Sequence, residues 1–163
     1  MHEIIIIIAK YFIVISLLVS LLVWLKLTAR EKKEFIALAI VGGILALIFA
    51  KIGSKLFYDP RPFVVGHTTP YFSHAPDNGF PSDHTLLASL LAFVVVKYDR
   101  RIGYALLVVA VLIGLARVIA DVHHLIDIVG SIIFSGIAVF IAVKAVSYFF
   151  KKNDKPSKIT SAE

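Results

Sequence analysis

The chain has 163 residues, of which 59% are hydrophobic and only 17% are charged. Soluble domains are typically about 45–50% apolar and about 25% charged, so this composition predicts a membrane protein. There is no cysteine, which excludes a disulfide framework and a thiolate metal site. The net charge is +6, but the basic residues lie between apolar runs. That pattern is typical of membrane topology and not of nucleic-acid binding.

Five apolar segments follow one another along the chain. A membrane-spanning helix needs about 20 residues, and the third segment is shorter, as suits a helix that begins below the membrane surface beside a polar site. The segments are Ile4–Leu27, Phe35–Tyr58, Ser82–Val96, Ile102–Ala120 and Val122–Phe150. We predict an all-α polytopic membrane helix bundle with about five transmembrane helices. Residues 1–150 form its single transmembrane domain, and residues 151–163 form a polar cytoplasmic tail.

The basic residues indicate the orientation of the bundle. They cluster between segments one and two, between segments three and four, and after segment five: Lys26, Arg30, Lys32, Lys33, Lys97, Arg100, Arg101, Lys151, Lys152, Lys155 and Lys158. With five crossings these regions share one side, which the positive-inside rule makes cytoplasmic. The long loop between Tyr58 and Ser82, with five of the six prolines, then faces outward. Its length predicts a functional loop.

Polar side chains occur in three blocks at the outward end of the predicted bundle. In the first block Arg61 lies between two prolines, which fix the backbone around a guanidinium suited to phosphate oxygens. The second block, Pro81-Ser82-Asp83-His84, opens the third segment, where a helix N-terminus favours an anion. Each block alone also fits ordinary helix capping or charges that snorkel to water. Their occurrence at one end of the bundle favours a shared site.

The third block contains a pair of side chains suited to nucleophilic catalysis. Arg117 ends the fourth segment and His123 opens the fifth, while Asp127 follows His123 by four residues. That spacing places both side chains on one face of a helix. A carboxylate that accepts a hydrogen bond from one imidazole nitrogen fixes the tautomer and leaves the other nitrogen free to attack.

In order and spacing, the blocks resemble the signature of the type 2 phosphatidic acid phosphatase (PAP2) superfamily, which includes bacterial undecaprenyl-diphosphate phosphatases and vanadium haloperoxidases. The family pattern is a lysine, six residues and Arg-Pro; then Pro-Ser-Gly-His; then Ser-Arg, five residues, His, three residues and Asp. The chain matches it at Arg61, Pro62, Pro81, Ser82, His84, Arg117, His123 and Asp127. The Pro-Ser-Asp-His variant resembles in particular the bacitracin-resistance type of undecaprenyl-diphosphate phosphatase.

The chain departs from the family pattern at three positions. The family lysine falls at Ser54, and the lysine beside it is Lys55. Because one residue turns a helix by about 100°, a role for Lys55 in phosphate binding is a hypothesis. Asp83 replaces the family glycine, and it would repel phosphate unless it faces away or binds a cation. Ala116 replaces the serine before Arg117.

The resemblance implies hydrolysis of a lipid diphosphate through a phosphohistidine at His123. His84 would protonate the leaving oxygen and then activate water, and Asp127 would orient His123. The implied phosphate ligands are Arg61, Arg117, Ser82 and Lys55, with Asp83 and Pro62 as further site residues. Three further histidines, in the long loop and beside His123, are interpreted as bystanders: His67, His74 and His124. No metal and no cofactor are implied; the partners are an isoprenoid or glycerolipid phosphate and membrane lipids.

Three alternatives remain open. The lipid substrate could instead be phosphatidylglycerol phosphate, phosphatidic acid or the lipid A phosphate, which sequence separates poorly. A small transporter or channel subunit would carry charges spread through the membrane depth, and paired repeats. An inactive scaffold is the third alternative, and it is disfavoured because His84, His123 and Asp127 are all present.

Overall fold

The structure is a computed structural model that describes residues 2–153, and over this range the protein is all-α. The helices are α1 (His2–Lys26), α2 (Ala29–Leu56), α3 (Pro62–Val65), α4 (Asp83–Val96), α5 (Arg100–Ile119) and α6 (Leu125–Asn153). Within the described residues, β-type backbone pairing is limited to one isolated bridge, between Pro60 and Asn78. The predicted tail begins inside α6, and its residues 154–163 lie outside the described part.

Four helices confirm the prediction of a multi-pass membrane protein. α1, α2, α5 and α6 have the length and composition of membrane spans, with mean hydropathies of 2.4 to 2.7. The fifth predicted crossing corresponds to α4, which has only 14 residues. At 1.5 Å per residue it is about 21 Å long, shorter than a hydrocarbon core of about 30 Å. Its role as a crossing stays a prediction.

α4 lies at the centre of the bundle and contacts all four long helices. Its sequence is apolar on every side, as expected for a helix buried by its neighbours. The few hydroxyl groups at its seam with α6 are paired. Ser89 Oγ lies 2.7 Å from Ser135 Oγ, and Ser131 Oγ donates to the backbone oxygen of Ser82 at 2.9 Å. The long helices therefore hold α4 in one position.

The two ends of the bundle differ in chemistry. At one end Thr28 and Glu31 form a capping box at the start of α2, and Lys97 Nζ donates to Glu34 Oε1 at 2.5 Å. The opposite end carries residues 57–82, including α3, and the connection 120–124 between α5 and α6. The fold therefore separates the predicted basic regions from the three polar blocks.

Phe80 anchors the start of α4. Its ring packs between α2 and α6, against a glycine on each helix. A Cβ atom would lie 3.1 Å from the ring at Gly53 and 2.4 Å from it at Gly130. Phe134 contacts the same ring edge-on, with centroids 5.8 Å apart. Because Phe80 lies two residues before the N-cap of α4, this contact fixes where α4 begins.

We expect Gly130→Ala to destabilise the protein by about 1–3 kcal/mol, since the added methyl group overpacks against an aromatic ring that cannot yield. The measurement is the midpoint of thermal unfolding in detergent. Gly43→Ala is the matched control, because its Cβ would lie 3.8 Å from the nearest Leu90 atom. Equal midpoints for the two variants would contradict the anchoring role of Phe80.

Candidate active site

A cavity of about 420 Å³ opens at the loop end of the bundle. All of its charged and imidazole-bearing residues come from α2, the long loop, α4, the end of α5 and the connection that follows it. The lining residues are Leu47, Ala50, Lys51, Ser54, Arg61, His74, Asp77, Asn78, Phe80, Pro81, Asp83, His84, Arg117 and His123. The structure therefore brings the three sequence blocks together around one volume.

His123 lies in the connection between α5 and α6 and is 2% exposed. The sequence predicted that it opens the last helix, which is wrong: α6 begins two residues later, at Leu125. The predicted contact is nevertheless present, because the Asp127 carboxylate in the first turn of α6 reaches back toward the connection. His123 Nδ1 donates to Asp127 Oδ2 at 3.0 Å, and the backbone N–H of His124 donates to the same oxygen at 2.9 Å.

The partners of the His123 ring define its tautomer. Arg61 Nη1 lies 3.3 Å from His123 Nε2. A guanidinium can only donate and a carboxylate can only accept, so Nδ1 carries the proton and Nε2 carries the lone pair. Burial lowers the pKa of His123, as do Arg117 and Arg61, and together they outweigh the raising effect of the bond to Asp127. At neutral pH the ring is therefore neutral, with Nε2 available as a nucleophile.

Arg61 is held from two sides and is 5% exposed. Its Nε donates to Asp77 Oδ1 at 2.7 Å, and its Nη1 donates to the backbone oxygen of Val122 at 2.8 Å. Proline on either side restricts the backbone, and Pro62 forms the first residue of α3 behind it. The long loop and the α5–α6 connection thus fix the guanidinium next to His123.

Arg117 reaches the cavity from the last turn of α5 and is 3% exposed. Its Nη1 donates to the backbone oxygen of Ala9 in α1 at 3.3 Å, and its Nη2 donates to His74 Nε2 at 3.2 Å. His74, which the sequence suggested was a bystander, lies edge-on to His123 with ring centroids 6.1 Å apart. Burial lowers the pKa of His74, and the two arginines lower it further. No spacing pattern in the irregular loop pointed to this residue.

The N-terminus of α4 forms the wall opposite the loop. Asp83 and His84 occupy its first turn and line the cavity. Ser82 is the N-cap but makes no side-chain capping bond; its Oγ instead accepts from Thr85 Oγ1 at 3.2 Å. The structure buries Ser82 completely, outside the cavity wall. The first-turn N–H groups are therefore left without a side-chain acceptor, which favours an anion at this point.

One lysine lines the cavity, and it is Lys51. The sequence led to the hypothesis that Lys55 binds phosphate, but Lys55 does not line the cavity. Ser54, at the position of the family lysine, does line the cavity, but its Oγ accepts from Asn78 Nδ2 at 3.1 Å. Lys51 and Lys55 are one helical turn apart on α2. A motif with fixed spacing does not reveal which of the two lysines lines the cavity.

A second cluster lies behind the His123–Asp127 pair. Asp59, His124 and Asp127 each place a ligand atom within 4.8 Å of the others, a geometry that could hold a metal ion. The three residues are already hydrogen-bonded to one another: His124 Nδ1 lies 2.7 Å from Asp59 Oδ2, and Asp127 Oδ2 accepts from the His124 backbone N–H. The cluster ties the long loop to α6, and the predicted absence of a metal stays a prediction.

An apolar groove of about 370 Å³ adjoins the cavity between α2 and α4. Leu47 and Asp83 border both the groove and the cavity. The rest of its lining is small or aliphatic: Gly43, Ala46, Leu86, Leu87 and Leu90. A molecule with an anionic head and an apolar chain matches the two adjoining volumes.

Most of the chain is similar in sequence to known proteins. The sequence profile of the PAP2 superfamily matches residues 35–151. Undecaprenyl-diphosphatase BcrC of Bacillus subtilis (strain 168) is 30% identical over 141 residues, which cover 86% of this chain and 72% of that protein. Bacitracin transport permease protein BcrC of Bacillus licheniformis is 30% identical over 119 residues, 72% of this chain and 57% of that protein.

A third relative is the putative undecaprenyl-diphosphatase YbjG of Escherichia coli (strain K12). It is 31% identical over 127 residues, which cover 77% of this chain and 64% of that protein. The matches thus span 57% to 72% of the relatives' lengths. The profile match over more than half of the chain confirms the resemblance carried by the three sequence blocks: the chain belongs to the PAP2 superfamily.

Proposed function

We propose that this protein is a lipid phosphatase that hydrolyses undecaprenyl diphosphate to undecaprenyl phosphate through a phosphohistidine intermediate. The observation that carries the proposal is the neutral His123 ring, whose Nε2 lies beside the Arg61 guanidinium at 3.3 Å in a cavity that Arg117 also lines. The names of two relatives support the choice of lipid. The apolar groove next to the cavity suits an isoprenoid chain.

In the first step His123 Nε2 attacks the terminal phosphorus. An N–P bond forms while the P–O bond to the lipid phosphate breaks, and charge spreads over three equatorial oxygens. Arg61, Arg117 and the N–H groups at the start of α4 stabilise that charge. Asp127 keeps the proton on Nδ1 and stabilises the positive charge that the ring acquires.

In the second step water attacks the phosphohistidine. His84 gives a proton to the leaving oxygen in the first step and then, as the neutral base, accepts a proton from the attacking water. The N–P bond breaks, inorganic phosphate leaves, and His123 regains its lone pair. The position of His84 in the cavity wall supports this double role.

The proposed location is the cytoplasmic membrane, with the cavity facing outward and the C-terminus in the cytoplasm. Three basic clusters lie at the opposite end of the bundle from the cavity, between α1 and α2, between α4 and α5 and at the end of α6, as the positive-inside rule requires. α4 makes the fifth crossing in this topology, and the lipid reaches the cavity laterally through the groove between α2 and α4.

The distribution of charge favours a phosphatase over a transporter. The cavity groups gather at one end of the bundle, whereas an ion path would place charges through the membrane depth. Another lipid phosphate would use the same nucleophile, so the choice among lipids is a matter for measurement.

We expect His123→Ala to lower phosphate release by on the order of 10⁴-fold or more, because it removes the attacking atom. Asp127→Asn should lower release by about 10²-fold or more, because an amide can present N–H to Nδ1 and favour the wrong tautomer. Release is measured with purified protein in detergent, and a thermal unfolding midpoint for each variant confirms folding. Turnover by folded His123→Ala at the wild-type rate would remove the nucleophile assignment.

The pH dependence of kcat/KM should reflect the lowered pKa of His123. The neutral His123 ring is the active form, so the loss of activity toward acid pH should occur below the ordinary imidazole value of 6.5, and the acid limb of the profile should be centred under that value. In Asp127→Asn the raising effect of the carboxylate is gone, so its residual activity should show a limb at still lower pH. An acid limb centred above pH 6.5 that has the same midpoint in Asp127→Asn would contradict a neutral, buried His123.

A panel of purified lipids tests the substrate. We expect the highest kcat/KM with undecaprenyl diphosphate, and values at least about tenfold lower with phosphatidylglycerol phosphate, phosphatidic acid and lipid A phosphate, since only the first places an anhydride next to a long isoprenoid chain. Folded His123→Ala serves as the blank for each lipid. A higher kcat/KM with a glycerolipid would reassign the substrate within the same chemistry.

A further inference from the structure

We propose that Lys51 binds the phosphate that stays on the lipid, and so makes the site selective for a lipid diphosphate over a lipid monophosphate. The inference rests on the proposed function and assigns a role to a lysine outside the family motif. Four residues of one face of α2 line the cavity: Leu47, Ala50, Lys51 and Ser54. Lys51 is the cation of that face.

Lys51 differs from the other two cations of the cavity, because each arginine already donates hydrogen bonds within the protein. Arg61 donates to Asp77 and Val122, and Arg117 donates to Ala9 and His74. Among residues 2–153, Lys51 makes no ion pair or hydrogen bond. An unpaired lysine within a membrane-spanning helix is unfavourable in hydrocarbon, and the cavity is the polar volume that it borders.

Lys51 belongs to α2, the helix that forms one side of the apolar groove. Leu47, one turn earlier on α2, borders both the cavity and the apolar groove. The nucleophile and the two arginines come from the loop, the end of α5 and the connection that follows it. A diphosphate whose terminal phosphate meets His123 and whose chain lies in the groove therefore places its second phosphate near Lys51.

The chemistry of the leaving group fits an ammonium at this point. When the anhydride breaks, the bridging oxygen becomes part of the lipid monophosphate and gains negative charge. A fixed cation stabilises such charge where it develops. Asp83 borders the same junction and repels an anion there, and the ammonium group of Lys51 in the cavity wall offsets that repulsion. A monophosphate lipid has no group at this position.

The test compares Lys51→Met with Lys55→Met, two substitutions one helical turn apart on α2. For the diphosphate, Lys51→Met should lower kcat/KM by about 10- to 100-fold, the effect of losing one hydrogen bond to a charged group. For the matched monophosphate lipid its loss should be several-fold smaller. Lys55→Met should match wild type on both, since Lys55 lies outside the cavity wall.

Two outcomes would overturn the role of Lys51: equal rates for Lys51→Met and Lys55→Met on the diphosphate, or an equal loss on both lipids. Lys51→Arg keeps the charge and should retain most of the diphosphate turnover. If Lys51→Arg were as slow as Lys51→Met on the diphosphate while both variants unfold at the wild-type temperature, the charge of Lys51 would not be the cause of the lost activity.

A binding measurement separates this inference from the proposed function. Inorganic pyrophosphate should protect the wild type against thermal unfolding at lower concentration than inorganic phosphate does, and Lys51→Met should lose this difference. Wild-type protein that binds pyrophosphate in this way but releases phosphate from neither lipid would refute the hydrolase proposal and leave the Lys51 site. If Lys51→Met kept the wild-type preference for pyrophosphate over phosphate, the result would refute the Lys51 site alone.

Discussion

The buried carboxylate of Asp127 is the group on which the arrangement of the site depends. It is completely buried, and a buried carboxylate is costly unless hydrogen bonds compensate for lost water. Its Oδ2 receives them from His123 Nδ1 and from the His124 backbone. Because the ring must donate from Nδ1, its Nε2 has to be an acceptor. One desolvated oxygen thus decides which nitrogen of His123 can attack phosphorus.

The helices matter mainly as supports for this short polar network. Phe80, held between Gly53 and Gly130, fixes the start of α4, and Ser131 bonds the backbone of Ser82 at that point. The backbone N–H of Ser82 in turn donates to the backbone oxygen of Asp127 at 3.4 Å. The helix that presents its N-terminus to the anion and the helix that carries the orienting carboxylate are therefore joined directly.

The sequence predicted the parts of the structure that follow from hydropathy and motif spacing. The four long helices and the meeting of Arg61, His84, Arg117 and His123 in one cavity agree with it. The start of α6 was misplaced, because the apolar pattern does not fix a helix boundary to within two residues; Asp121 has a positive φ of 66°, and the helix begins at Leu125. Lys51 was missed because a lysine side chain spans a helical turn, so a fixed spacing does not identify the lysine that reaches a cavity.

The partners of the two arginines explain how the cavity keeps a positive field in a low-dielectric bundle. Arg117 donates from Nη1 to a carbonyl oxygen of α1 and from Nη2 to a neutral imidazole, and neither acceptor cancels its charge. Arg61 pairs with Asp77, whose side chain is 61% exposed, so solvent screens that carboxylate. Asp127, the one fully buried carboxylate among residues 2–153, accepts at Oδ2 from two N–H groups and forms no ion pair with a guanidinium. Both cationic charges therefore remain available to an anion. α1 contributes to the site through the backbone oxygen of Ala9, a contact that no side-chain motif could have revealed.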